Sequence, residues 1–223
     1  MGRGGQIVVA IDIKKCEIKI IVDSREQKWD HIETKFKQRQ IDYFVSKGKQ
    51  SLKVGDYSIV VKTPKGNILD FRNYTAVERK GSLNEIACNL TDSKSKDENG
   101  KIRFVRELER SFSNRTRLLL LIEEEDGYNK AKNGFFRGDF PSFFNPKSFI
   151  GMINAYQARY LFSYQFCERK ADSWSMIYDY LYYQAREWMK EFNEDSLKHW
   201  LASKKGSSPN YYYISGNLDT IYN

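Results

Sequence analysis

The sequence predicts an α/β fold in which a mixed central sheet is flanked by helices. Three observations carry this. Segments rich in β-branched residues alternate along the chain with segments whose apolar residues recur at helical spacing. Residues 118–122 form a continuous apolar run, the pattern of a strand covered on both faces. A long segment, 173–192, is amphipathic enough to cover one of those faces.

In chain order, residues 7–13 and 17–22 are β-branched runs separated by Lys14-Lys15-Cys16, and they predict a hairpin or two successive strands. Over 28–40 Trp29, Ile32 and Phe36 keep helical spacing among charges, and strand character returns at 41–46, so the start reads as a βαβ unit. Residues 51–61 and 68–80 predict two more strands, joined at Thr63-Pro64-Lys65-Gly66, where Pro and Gly supply the turn angles. A helix over 82–90, a polar loop over 91–101 and a helix over 102–112 follow, and the run at 118–122 is then a central strand. Residues 127–146 are aromatic-rich and irregular, 147–160 predict a helix, and 161–167 a strand. The last long helix carries Trp174, Ile177, Tyr178, Leu181, Ala185, Trp188, Met189 and Phe192 on one stripe. We take residues 1–200 as one domain, with a polar, Tyr-rich tail over 201–223 entered through a flexible lead at 204–209, and find no internal repeat.

At 223 residues the chain can bury a core without disulfide or metal staples. Hydrophobic residues at 40% and only four prolines argue against disorder over most of it. No stretch approaches the roughly 18 consecutive apolar residues of a membrane span, and the start lacks a secretory apolar core. We therefore expect a soluble, unexported protein, cytoplasmic or associated with the nucleoid. Cys16, Cys88 and Cys167 are odd in number and widely spaced, which supports neither a disulfide framework nor a zinc site. With two histidines, His31 and His199, chemistry that needs several imidazoles is excluded, so carboxylates and lysines must carry any catalysis.

Three acidic segments stand where strands should begin or end: Asp23-Ser24-Arg25-Glu26, Gly55-Asp56-Tyr57 and Glu78-Arg79-Lys80. On an extended strand Glu78 and Lys80 share one face and Arg79 takes the other. Asp56 precedes Glu78 by 22 residues, on what should be the adjacent strand. Two carboxylates converging from paired strands can hold a hard divalent cation, and a lysine beside them can orient an attacking water and stabilise developing phosphate charge. A solvated, charged strand end is the alternative for the Glu-x-Lys pattern alone.

Taken together, in this order and spacing, these segments resemble the nuclease domain of the XPF and Mus family of structure-specific endonucleases, over about residues 17–190. The resemblance implies a restriction-endonuclease-like fold and Mg²⁺- or Mn²⁺-dependent hydrolysis of DNA, acting on branched, flap or fork substrates in repair, recombination or replication. By position it implies Asp56, Glu78 and Asp23 as metal ligands and Lys80 as the catalytic lysine. Arg25, Glu26 and Arg79 would orient a phosphate or a neighbouring side chain; a structural ion pair is the other reading of Arg25 and Glu26. The chain departs from the signature at Asn84, where the family has Asp, which weakens the case for a second tightly held metal. A non-catalytic DNA-binding or scaffold module that keeps the fold is therefore the rival reading.

Glu168-Arg169-Lys170, preceded by Gly138-Asp139, repeats the pattern, but no Asp-x-Arg-Glu segment precedes it and Pro141 suits an interior strand poorly. We expect a solvated strand end there, and likewise at Glu123 to Asp126, where a carboxylate that supports the site from behind its ligands is the alternative. Basic charge gathers beside the proposed site, seven Lys and Arg against three acids over 28–53 and eight against four over 94–117. On the helix at 102–112, Arg103, Arg106 and Arg110 share a face that could grip DNA phosphates. Tyr180 and Tyr183 lie partly off the last helix's stripe and leave room for a homodimer of the kind the resemblance implies. The 31 residues after Phe192 lack the paired glycines of a helix-hairpin-helix module, so we expect a free-standing nuclease domain.

Overall fold

Antiparallel neighbours need only a turn, whereas parallel neighbours need a crossover that lays a helix on the sheet. Both kinds of connection build this chain, whose computed structural model describes residues 10–48, 51–91, 96–134 and 146–203. β1 (Glu17–Asp23) crosses through α1 (Asp30–Gln38) to pair in parallel with β2 (Tyr43–Ser46), which is the expected βαβ unit. β3 (Tyr57–Lys62) lies antiparallel to β1 on its other side, with β4 (Ile68–Asp70) turned back onto β3. β5 (Thr75–Lys80) also pairs antiparallel with β3. Two helices, α2 (Leu83–Thr91) and α3 (Arg103–Ser113), lead to β6 (Arg117–Glu123), parallel to β5. A short α4 (Gly127–Asn129), a π-helical turn and α5 (Pro146–Tyr160) lead to β7 (Ser163–Cys167), parallel to β6. α6 (Ser173–Met189) and α7 (Glu194–Ser203) close the described chain, and the sheet order is β2-β1-β3-β5-β6-β7. No helix among the described residues is long and apolar enough to cross a membrane.

Alternation along the strands divides the core into two layers. Val22, Ile59, Val77, Leu119 and Leu121 face α1 and α6, which bring Ile32, Phe36, Ile177, Leu181 and Met189 against them. Ala76, Leu118, Leu120 and Ile122 face α2, α3 and α5, which contribute Ile86, Leu108, Phe149 and Ile153. β5 and β6 are thus covered on both faces, as the apolar run at 118–122 required. Every residue of β5 is buried, including three charged ones: Glu78 and Arg79 are 7% exposed and Lys80 8%.

Four expectations are corrected. The described part of 7–13 contains no strand: Asp12 accepts from Lys14 N–H at 3.1 Å and caps a 3₁₀ turn over Ile13–Lys15. The strand expected from residue 51 starts only at Tyr57, because Gly55 bends the chain at φ +73°. The strand expected over 68–80 is two strands, broken where Asp70 accepts from Arg72 N–H and Nε at 2.8 and 2.7 Å. Tyr180 is not offered to a partner, since it packs against the core, while Tyr183 is 51% exposed. Gly138-Asp139 and the tail beyond residue 203 lie outside the described residues.

A Cβ at Gly55 would lie 2.8 Å from the Val77 carbonyl oxygen, whereas at Gly66, also left-handed at φ +80°, it would meet open space. Gly66→Ala should therefore cost about 1 kcal/mol for its backbone angle alone, and Gly55→Ala about 1–3 kcal/mol more for the added strain and displaced strand. Thermal melts of the two variants check the order.

Candidate active site

β1, β5, β6 and β7 all run toward one end of the sheet, and β3 begins there, so Asp23, Asp56, Lys80 and Glu123 collect along a single edge. Ligands of sheets with parallel strands bind outside such carboxyl ends. A cleft of 280 Å³ opens there, walled in part by Asp56, Glu78, Lys80, Glu85, Arg103 and Glu107.

Backbone bonds fix Asp56 between two strands. Its N–H donates to Val77 O, its carbonyl accepts from Asp23 N–H, and its Oδ2 accepts from Arg79 N–H, each at 2.8 Å. Glu78 and Lys80 share the face that strand alternation assigns them, and Lys80 Nζ donates to Glu78 Oε1 at 2.7 Å. Burial, then the charges of Glu78 and Glu26, push the Asp56 carboxyl well above the usual carboxylate range, against Lys80 and the Arg79 N–H. Burial likewise raises Glu78, with Lys80 opposing it and Glu107 adding to it. For Lys80 burial acts downward, but the charge and hydrogen bond of Glu78, with Asp56 and Glu107, more than reverse it and hold the ammonium charged.

Arg79 takes the opposite face. Its Nη1 donates to Glu123 Oε2 at 2.8 Å, and its Nη2 to Glu26 Oε1 at 2.7 Å and to Lys28 O at 2.9 Å. His31 Nε2 lies 2.7 Å from Glu123 Oε1. Glu123 is therefore no solvated strand end: it is 1% exposed and anchors both side chains.

Asp23 serves Arg25. Its oxygens accept from Arg25 N–H, Nε and Nη2 at 2.9, 2.7 and 3.1 Å and from Leu52 N–H at 2.7 Å, which occupies a carboxylate's usual four acceptor positions. Burial raises its pKa, but these bonds outweigh that and hold it below the usual range. Asp23, expected among the metal ligands, is here taken up by Arg25 and Leu52 and does not line the cleft. Arg25, so fixed and still exposed, lines the cleft.

Arg103 and Arg110 also line the cleft, Arg110 with Nη1 donating to Lys53 O at 3.0 Å. Arg106 does not: it turns to Lys101 O at 3.2 Å and toward Asp97 at 3.8 Å. Asn84 is exposed on the first turn of α2 and faces a neighbouring groove with His31 and Lys170. The second Glu-Arg-Lys sits beyond β7, where Glu168 accepts from Asp126 N–H and Arg169 pairs with Asp172, a locally satisfied strand end as expected.

Sequence reasoning missed Glu85 and Glu107. Glu85 follows Asn84 by one residue, and a helix turns about 100° per residue; it faces Lys80 at 3.8 Å where Asn84 does not. Glu107 lies four residues after Arg103 and three before Arg110, so the spacing that grouped those arginines already included it.

Among the described residues no group of three or more His, Cys, Asp or Glu side chains is placed to hold a metal ion. Asp56 and Glu78 fit a hard divalent cation all the same. They offer oxygen ligands, burial raises the proton affinity of both, and Mg²⁺ commonly takes one or two carboxylates and keeps several waters.

This arrangement has relatives. The ERCC4 domain matches residues 22–180, more than half of the chain. The chain belongs to the ERCC4 domain family. The match bears out the XPF resemblance and spans the ERCC4 domain from the end of β1 into α6. Two solved structures, of XPF from Aeropyrum pernix alone and in complex with DNA, share the fold with TM-scores of 0.51 and 0.50. They are 16% and 17% identical to it, over 86% of this chain and 74% of theirs. No curated protein sequence matches the chain.

The raised Asp56 pKa sets a sign. The folded, cation-free protein binds a proton at Asp56 more tightly than the unfolded chain, so this residue costs stability as pH rises from the ordinary carboxylate range through the folded value. Asp56→Asn keeps an oxygen for Arg79 N–H and removes that cost. At pH 8 in a chelator it should raise Tm by roughly 2–4 °C, the equivalent of about 1 kcal/mol in a domain of this size, and the gain should fade toward pH 4. Melting curves across pH measure it.

Proposed function

We propose that this chain is a Mg²⁺- or Mn²⁺-dependent DNA endonuclease that hydrolyses phosphodiester bonds of branched, flap or fork DNA, in repair, recombination or replication. The observation that carries the reading is the pair of Asp56, half-buried, and Glu78, buried beside Lys80, which line one cleft. Membership of the ERCC4 domain family supports it, as does the DNA in the complex of the Aeropyrum pernix protein.

A divalent cation bound at Asp56 and Glu78 supplies charge neutralisation on the phosphate and a water of lowered pKa. The chain's own residues do the rest. Lys80, held charged, is an electrostatic donor rather than a base; it faces the carboxylates and is placed to orient a water and to stabilise the charge that grows on the phosphate. Arg25, Arg103 and Arg110 surround the cleft and take the flanking phosphates, a contact that is independent of base sequence. Arg79 touches no substrate: it ties the end of β5 to Glu26 and Glu123, and so holds Glu78 and Lys80 in register. Pairing of two copies through α6 is not part of this proposal, because only Tyr183 of the two tyrosines is exposed.

Incubation with flap, fork, three-way and linear DNA in Mg²⁺ or Mn²⁺ tests the reading. Metal-dependent cleavage is expected, greater on the branched substrates. Glu78→Gln and Asp56→Asn should each abolish it with DNA binding retained, and Lys80→Gln should slow it by about 10²–10³-fold. A wild-type chain that binds these DNAs and cuts none of them with either metal is a scaffold that keeps the nuclease fold.

A further inference from the structure

The family signature has a carboxylate where this chain has Asn84, and Asn84 does not reach the cleft. We propose that Glu107, on α3, supplies the missing negative charge of the candidate cation site, acting by its charge rather than as a direct ligand. The inference rests on the nuclease reading above and adds to it a residue from a different element.

Four observations carry it. Glu107 lines the same cleft as Asp56, Glu78 and Lys80. Its side chain is only 20% exposed, so its charge is poorly screened by solvent, and a charge in such a setting acts over several ångströms. Its one hydrogen bond among the described residues is a long one, from Arg103 Nε to Oε1 at 3.4 Å, and Oε2 accepts none, so Arg103 does not consume it. It is placed there by the helix: it lies four residues after Arg103 and three before Arg110, so one side of α3 brings all three to the cleft. α3 holds it there because Phe104, Val105, Leu108 and Ser111 bury the adjoining side of the helix, leaving Glu107 at its margin. A carboxylate facing two others is costly until a cation arrives, and that cost is returned as cation affinity when it does. Direct ligation is not invoked, since no three carboxylates of the described residues converge on one point.

The same helix provides the control. Glu109 carries the same charge two residues on, but accepts from Lys101 Nζ at 2.7 Å and does not line the cleft. The test is a titration with Mn²⁺ alone, without DNA, read by electron paramagnetic resonance of the free ion. Glu107→Gln should raise the Kd for Mn²⁺ about tenfold, as loss of a group near but outside the ligand shell does. Glu109→Gln and Asn84→Asp should leave it unchanged, and Glu78→Gln should remove binding. A second measurement separates the alternative that Glu107 only steadies Arg103: in chelator, Glu107→Gln should bind DNA more tightly, because a negative charge has left the phosphate path. Weaker DNA binding with unchanged Mn²⁺ affinity overturns the proposal, and so does equal behaviour of Glu107→Gln and Glu109→Gln. If Glu78→Gln loses Mn²⁺ and Glu107→Gln does not, this inference fails while the nuclease reading stands; a wild-type chain that binds no Mn²⁺ sinks both.

Discussion

Three consecutive charged residues end a strand that is buried on both faces, and the rest of the site follows from that constraint. A charge removed from water is costly unless it is paired and hydrogen-bonded. Because successive residues of a strand point to opposite faces, Glu78-Arg79-Lys80 cannot satisfy itself through one neighbour. Each face must build its own set of partners. On the α2 and α3 face Glu78 and Lys80 pair with each other and draw in Asp56, Glu85 and Glu107. On the α1 face Arg79 is caught between Glu26 and Glu123, with His31 behind Glu123. The two sets differ in consequence. On the Arg79 face the guanidinium bonds both carboxylates, and removing one partner from such a buried pair costs about 3–5 kcal/mol. The Glu78 face carries more carboxylate than Lys80 can offset.

Distant segments are brought to this strand end by backbone chemistry. Gly55 makes the left-handed bend that lets the Asp56 N–H reach Val77 O, and the Asp56 carbonyl then takes the Asp23 N–H. One short run thereby ties β1, β3 and β5 together at the edge where the charges lie. Asp23 spends its carboxylate on Arg25 and Leu52, which turns an exposed arginine into a fixed donor at the cleft. A fork held at both carboxylate oxygens has little freedom left to lose when it meets a phosphate.

Much of this was legible from residue order. The βαβ start, the doubly covered run at 118–122 and the opposition of Glu78 and Lys80 to Arg79 all follow from periodicity, and periodicity survives folding because it is local. The misses share a cause as well. Residue type does not say which neighbour claims a carboxylate's lone pairs, and Asp23 finds one of its donors, Leu52 N–H, 29 residues away. Arg106 was grouped with Arg103 and Arg110 by helical spacing, but three residues along a helix leave a side chain about 60° off, enough to turn it to Lys101 O. Glu107 is hard to single out in sequence because the helix reads as basic, and the acid between Arg103 and Arg110 shares their spacing. The break in the strand expected over 68–80 depended on Asp70 capturing Arg72, and an Asp followed two residues later by Arg is not distinctive in sequence.

The imbalance on the Glu78 face bears on how such a site works. Burial raises the proton affinity of Asp56 and Glu78, helped at Asp56 by the charges of Glu78 and Glu26 and at Glu78 by that of Glu107, while Glu78, Asp56 and Glu107 hold Lys80 charged. A proton or a cation relieves that repulsion, and a divalent cation relieves more of it, because it neutralises both carboxylates at once. The stability forgone in the empty site therefore sets the driving force for filling it. Lys80 meets only part of that need: it donates to Glu78 Oε1, and at Asp56 its charge and the Arg79 N–H oppose the rise without cancelling it. Replacing the carboxylates with apolar residues would give a more stable strand end and a site with nothing to attract a metal.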